Sequence, residues 1–416
     1  MNIKLLFGHR VFKNFLYLNF TQLLNYLFPF ITFPYISRIF LPESYGLLIT
    51  ATSIAAYLGL LTDFGFNLSA TRDLAKVIPD KIQVSRIFNE ILTAKIVLYL
   101  FFICTFGLFL FFNQRYHQQI WLFGFILIGV FGNVIFPTWY FQATNTMDKI
   151  AKLNFLSRLI GLGCLFIFIH NNNDLILFVL LNSIISLTIG VFAFITVIRN
   201  DSIQFQLGCS THKFFEILSG SFASFTAVLL VSFYTTFNSL LLSWFCNYKD
   251  VAIYGVADKI IGIILTVQGV LIQSIFPTVT AEGNRNKIKS KVIKLFKYNL
   301  LLGILACLFI NLGAPIIIHI LAGHRYDLSI PVLRILSLVP IILAFSSSLS
   351  TYCFALKVER YQVYAYLVGV IYCITANLFF IREYSYFAVS VNFILCEVMS
   401  LIILLLFILL YTNGKE

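Results

Sequence analysis

Charge is the first thing this sequence is short of. Only 11% of its 416 residues are Asp, Glu, Lys or Arg, against roughly 25% in an ordinary soluble domain. Such a chain cannot clothe a globule in hydrated groups, so a water-soluble fold is excluded. Paired cysteines are missing as well. The eight cysteines form no CxxC and no Cys/His spacing suited to a metal. Most of them (Cys104, Cys164, Cys307, Cys373, Cys396) lie in apolar runs, where a thiol is a small packing residue. The six histidines, His9, His117, His170, His212, His319 and His324, are scattered, and no GxSxG, Walker A or HExxH motif occurs. An ATP-driven pump in a single chain is excluded; no enzymatic activity, cofactor or metal is expected. Large loops are lacking too. The longest connections are Gly65–Glu90 and Arg199–Gly220, each expected to form an amphipathic surface helix rather than a domain.

What the chain has is hydrophobic length. It is 60% apolar, carries 46 Phe and has a mean hydropathy of +0.92. A membrane-crossing helix needs about 20 mainly apolar residues. Twelve runs qualify: Phe15–Ile36, Tyr45–Phe64, Ile91–Phe112, Ile120–Phe141, Leu153–His170, Leu175–Ile198, Ser221–Phe245, Lys259–Val279, Tyr298–Leu321, Ile330–Ala355, Val363–Ile381 and Phe387–Tyr411. The fold class is therefore an all-α polytopic membrane protein. Met1–Lys13 is basic but leads into a full-length span without a small-residue cleavage site, so no signal peptide is expected.

The net charge of +12 would suit nucleic acid, but the basic residues are spread over short loops, which fits membrane topology instead. With the N-terminus inside, 22 of the 29 Lys and Arg fall on the inner side. Both termini are then cytoplasmic, as is the densest basic run, Arg285–Lys297, which could also meet anionic lipid headgroups. The pattern also repeats. Tyr45-Gly46, Gln114-Arg115-Tyr116 and the Tyr140/Ala143 pair recur in order as Tyr254-Gly255, His324-Arg325-Tyr326 and Tyr352/Ala355, at nearly constant offset. Two six-helix lobes follow, residues 1–200 and 221–416, joined by a cytoplasmic linker at 201–220. Six is even, so the halves are parallel repeats, the arrangement transporters use to set a cavity between lobes.

Several residues are candidates for function. Pro29 and Pro34 kink the first span, either as a moving element or as a static bend satisfied by neighbours. Phe136–Gln142 (FPTWYFQ) offers Trp139 and Gln142 to a sugar, or forms an interfacial aromatic belt. Charges inside or bordering spans are Asp63, Lys95, Arg158, Asp258, Lys259, Arg334 and Glu397. At the bilayer centre each would cost roughly 2.5–3.5 kcal/mol on insertion scales, so they should face a cavity or pair. Lys95 could instead snorkel, and Glu397 could be structural. Asp63 ends an apolar run just before Gly65; it could meet Arg72 across the bend, or each could pair with another helix. Asp63, Arg72, Asp258 and Glu397 are thus the gate or coupling candidates.

Five stretches resemble a known family. Phe33–Leu48, Leu61–Lys76, Phe136–Ile150, Val251–Ile260 and Ala314–Ser337 are similar to the signatures of Wzx-type O-antigen flippases, in the MATE-like multidrug/oligosaccharidyl-lipid/polysaccharide export superfamily. The resemblance implies two six-helix lobes around a V-shaped cavity. It also implies translocation of undecaprenyl-diphosphate-linked oligosaccharide across the bacterial inner membrane by alternating access. The cargo glycan and the bilayer are then the partners, with a polysaccharide polymerase and a chain-length regulator beside them. Arg38, Lys95, Arg158, Lys259 and Arg334 would suit the phosphates. Where the family often carries Gly and then a Glu after the aromatic motif, this chain has Ala143 and Asn145, so no carboxylate role transfers there. A multidrug exporter should want buried acids, and the basic excess among the membrane charges leans against it. A membrane glycan polymerase should want a large outer loop, and this chain offers only short ones.

Overall fold

The computed structural model describes residues 28–413 apart from 79, 202, 357 and 359. Among the described residues there is no strand, and nearly everything is α-helix. In lipid an apolar segment must satisfy its own backbone, and a helix does so within one segment. Ten of these helical stretches are long and apolar enough to cross a membrane. The one over Arg360–Leu410 is 51 residues long, more than twice the ~20 a crossing needs. The start of the first predicted span and both chain termini lie outside the described residues.

The chain divides into two compact units: residues up to Thr32 with Ala51–Ser232, and Phe33–Thr50 with Phe233–Glu416. The division falls inside α1 (28–39) and α2 (Pro42–Asp63), so the chain passes to the second unit and back before completing the first. In α1 the hydroxyls of Thr32 and Ser37 donate to the carbonyls of Pro29 (3.5 Å) and Pro34 (3.3 Å).

In the first unit, α2 ends at a sharp corner. Phe64 and Gly65 both take positive φ (44° and 76°). A Cβ on Gly65 would stand 2.5 Å from the Phe225 amide nitrogen, so both the angle and the space require glycine. The corner starts α3 (Phe66–Ala75), whose buried residues Phe66, Ala70 and Leu74 recur at i+4. After it, Asp80 accepts from the amides of Ile82 and Gln83 and opens α4 (Lys81–Phe112). These two amide bonds, and a further one from the Gln83 side chain, hold the Asp80 carboxyl below the usual carboxylate range. The predicted third span begins at Ile91; the cap moves the helix start ten residues earlier. The Gly65–Glu90 connection is therefore α3 plus the first turns of α4.

α5 (Ile120–Ile135) stops at Phe136, extended ahead of Pro137, and α6 (Thr138–Ala143) restarts as a separate short helix. α7 (Met147–Phe168) and α8 (Leu175–Asp201) follow. Residues 203–210 are not helical. They run along α4, where Asn89 donates to the Gln204 carbonyl (2.7 Å) and the Gly208 amide donates to Thr93 (3.1 Å). No separate surface helix forms over 199–220, because α4 side chains satisfy this stretch and α9 (Thr211–Thr235) begins directly after it.

The second unit contains α10 (Phe237–Phe245), α11 (Tyr248–Thr280), α12 (Arg285–Leu321), α13 (Ser329–Leu336), α14 (Val339–Ala355) and α15 (Arg360–Asn413). The basic run Arg285–Lys297, expected as a loop, is the start of α12, opened by Asn284 accepting from the amides of Asn286 and Lys287. α15 merges two predicted spans. Ser385, at φ 47°, ψ −126°, reverses the chain, and contacts of Gly369 with Cys396 and Asn377 with Asn392 show two antiparallel halves. Tyr45 and Tyr254 are both buried, as are Tyr116 and Tyr326, the latter two each in a single turn after a long helix.

Candidate functional site

The corner at the end of α2 gathers most of the polar chemistry of the first unit. Lys95 is buried four turns into α4, and its Nζ lies 3.0 Å from Asp63 Oδ1. The Lys95 side chain is 3% exposed and that of Asp63 21%. The second carboxylate oxygen accepts from the amide of Asn67 (3.3 Å) in the first turn of α3. One acid thus neutralises a buried ammonium and caps a helix whose N-terminus favours negative charge. Lys95 does not snorkel. Thr71 extends the network, donating to the Trp139 carbonyl (3.2 Å) and contacting Gln142 Oε1 (3.3 Å).

The pairing of Asp63 with Arg72 is corrected. Arg72 is exposed and bonds Asp73 (3.2 Å), which also holds Lys76 (3.0 Å). The reason is helical phase: the buried stripe of α3 is 66, 70 and 74, and position 72 points the other way. The aromatic belt is corrected as well. Trp139, Tyr140 and Phe141 are 1%, 2% and 0% exposed, packed in the core of the first unit with Phe88 5.5 Å from Trp139. Trp139 reaches polar partners through its carbonyl rather than through its ring face. Gln142 remains half-buried.

The other candidates lie on other elements. Arg158 on α7, Lys259 on α11 and Arg334 on α13 are exposed. Arg38 is exposed too and donates to the Ile320 carbonyl (2.5 Å). Asp258 is half-buried, within electrostatic range of Tyr45 and Tyr254. Glu397 is 4% exposed in the second half of α15, within electrostatic range of Tyr366.

Sequence reasoning missed a buried neutral network in the second unit. Asn392 donates to Asn377 (3.0 Å), Asn377 contacts Cys373 Sγ (3.4 Å), and that thiol lies 3.6 Å from Asn238 Oδ1. Asn238 in turn donates to the Tyr254 hydroxyl (3.4 Å). Cys373 and Cys396 are therefore hydrogen-bonding residues as well as packing ones, Cys396 donating to the Gly369 carbonyl (3.0 Å). The available signal was the asparagines inside apolar runs. Nor are the histidines all scattered: the rings of His319 and His324 are in contact, centroids 4.0 Å apart.

Comparison with known proteins agrees with this architecture. The polysaccharide biosynthesis protein family matches residues 11–282. A protein of Escherichia coli (strain K12) named "Putative O-antigen transporter" is 29% identical over 342 residues, covering 80% of this chain and 81% of its own. One of the same name from Shigella dysenteriae is 25% identical over 398 residues, covering 94% and 98%. Among solved structures, the lipid II flippase MurJ in an inward closed conformation aligns with a TM-score of 0.73 over 95% of this chain and 87% of its own. An inward-facing multidrug resistance MATE family transporter aligns with a TM-score of 0.68 over 96% and 98%. Both are 13% identical and speak to the fold alone. By sequence and by fold, the chain belongs to the polysaccharide biosynthesis protein family and is a multi-span membrane protein with the helical architecture of the MATE and MurJ transporters.

Proposed function

We propose that this protein is a flippase that carries undecaprenyl-diphosphate-linked oligosaccharide repeat units across the bacterial inner membrane by alternating access. The observation that supports this best is the use of length: a chain of a polysaccharide family devotes nearly all of its described residues to helices of membrane-crossing size. The names of the E. coli and Shigella relatives point to the same cargo class. The physical problem is the polar head, since each unsatisfied polar group in hydrocarbon costs several kcal/mol. A hydrated path with cationic side chains lowers that cost while the lipid tail stays in the bilayer. The phosphate role is assigned to the exposed cations Lys259, Arg158, Arg334 and Arg38. Asp258 and Glu397 are the acids assigned to coupling. Movement of one repeat against the other would supply the alternation, with both termini and the basic start of α12 in the cytoplasm.

The test is complementation. A strain lacking this protein should lose surface glycan and accumulate the lipid-linked unit on the cytoplasmic leaflet, and the intact gene should reverse both. Loss of surface glycan without accumulation of the lipid-linked unit would overturn the reading, because the defect would then lie in synthesis.

A further inference from the structure

The end of α12 opposite its basic start is built unlike anything the transport reading requires. His319 lies in the last helical turn. The amides of Ala322 and Gly323 both return to the Ile318 carbonyl (2.7 and 3.0 Å), and Gly323 takes φ 86°, which reverses the chain. A single 3-10 turn, His324–Tyr326, then folds back over the helix end. The result sets the His324 ring against that of His319, centroids 4.0 Å apart and planes tilted by 44°, and brings Asp327 Oδ1 to 2.8 Å from His319 Nε2. One ligand atom from each of the three residues lies within 4.8 Å of the others.

This turn is pinned. Tyr326 is 0% exposed, its hydroxyl 3.5 Å from the Phe40 carbonyl, and Ser329 donates to the Ile253 carbonyl (2.8 Å). The backbone carrying His324 and Asp327 is therefore held from both sides, while the side chains stay open to solvent. The residue set is not demanded by the turn. At the repeat offset of the Gln114/His324 pair, the first unit has Phe109, Gln114 and His117 in place of His319, His324 and Asp327.

We propose that His319, His324 and Asp327 form a three-ligand site for a divalent transition-metal ion of the zinc class, with water or an anionic oxygen at the open position. Two imidazoles and one carboxylate are the donors zinc takes in three-ligand sites. Ligand bonds of about 2.0–2.2 Å require the donors to close from their present spread, which rotation of the exposed His324 and Asp327 side chains allows. The ion takes the place of the hydrogen bond between His319 Nε2 and Asp327 Oδ1. Bound there, it staples the end of α12 to the following turn. α12 spans 37 residues, about 55 Å at helical rise, so a cytoplasmic basic start puts the site on the extracytoplasmic side.

The experiment uses the full-length protein in detergent, purified through a tag without histidine and stripped with chelator. Zinc is titrated calorimetrically, and cobalt is followed by its visible absorption. One ion per chain is expected at pH 7.5. His319→Ala, His324→Ala and Asp327→Asn should each weaken binding by about tenfold or more, the scale on which site groups tune affinity. Affinity should fall as pH drops through the histidine range near ~6.5, since the ligands must be deprotonated. Melting curves without metal check folding; where an alanine variant melts early, His319→Gln and His324→Gln replace it. The proposal is overturned if the wild type binds no zinc at 100 times the protein concentration. It is equally overturned if the triple variant binds as the wild type does, or if only His117, His170 or His212 substitutions weaken binding.

Discussion

Removing Lys95 is the sharpest perturbation of the first unit. In Lys95→Ala the Asp63 carboxylate keeps its bond to the Asn67 amide but loses the ammonium 3.0 Å away. Breaking a buried pair from one side costs about 3–5 kcal/mol. Asp63 is 21% exposed and can recover some hydration, so a loss below that range, about 2–3 kcal/mol, is expected. For a unit of this size each kcal/mol moves the melting temperature by roughly 2–4 °C, so Lys95→Ala should melt about 5–10 °C early. Asp63→Asn should lose less, since the amide oxygen can still accept from Asn67. The double variant Asp63→Asn, Lys95→Met removes both charges and should sit near the wild type, because a buried pair replaced whole is often neutral.

The assay is thermal unfolding of the purified protein in detergent, read with surface glycan in a complemented null strain. Reversal separates the two pairings considered for Asp63. Asp63→Lys with Lys95→Asp should recover more stability than either single change. Asp63→Arg with Arg72→Asp should recover nothing, because Arg72 bonds Asp73 instead. Recovery in the Arg72 swap, or a melting temperature of Lys95→Ala within 1 °C of the wild type by the same scale, would refute the reasoning.

Three other outcomes follow from the same geometry. A cysteine at Asn286, next to the cap of α12, should be protected from an impermeant periplasmic thiol reagent; labelling there would reverse the orientation. Lys259→Ala should lower surface glycan at unchanged protein level and Lys259→Arg should restore it; full activity of the alanine variant at low expression would remove Lys259 from the phosphate path. Glu282 is held below the usual carboxylate range by its 2.8 Å bond to Lys291. Its contribution to the α11–α12 connection should therefore be constant above the ordinary Glu pKa of ~4.3 and disappear as pH falls through its lower folded value. A spin label at Gly283 should report that loosening in the wild type and show no pH response in Glu282→Gln.

The spans were legible because hydropathy and helix length are properties of one segment. Their ends were less so. Asp80, Asn247 and Asn284 each cap a helix well before its apolar part begins, and a polar start looks like loop to a hydropathy count. Pro137 was visible, but whether it bends a helix or ends it depends on what Trp139 and Phe141 pack against. The partner of Asp63 lay beyond sequence reading altogether. Arg72 is nine positions away along the chain and Lys95 thirty-two, and only the corner at Phe64–Gly65 decides which cation arrives. Asn238, Asn377 and Asn392 were written in the sequence as polar residues in apolar runs, but without charge they raised no alarm about cost.

The two units handle buried polarity differently. In the first unit a full charge is buried and matched at once by Asp63, in a core that also takes in the Trp139 motif. A charge so held is expensive to release, since the freed partner stays in a low-dielectric setting. In the second unit Asn bonds Asn and Asn meets a thiol, with the buried acid Glu397 on the same helix. Each such bond is worth only about 0.5–1.5 kcal/mol net. A rearrangement within a neutral network costs less than one that separates an ion pair. Exposed cations near the membrane occur in both units, Arg158 in the first and Lys259 and Arg334 in the second, while the His319–His324–Asp327 turn belongs to the second. Shifting the Asn links of the second unit is therefore less costly than parting Lys95 from Asp63 in the first.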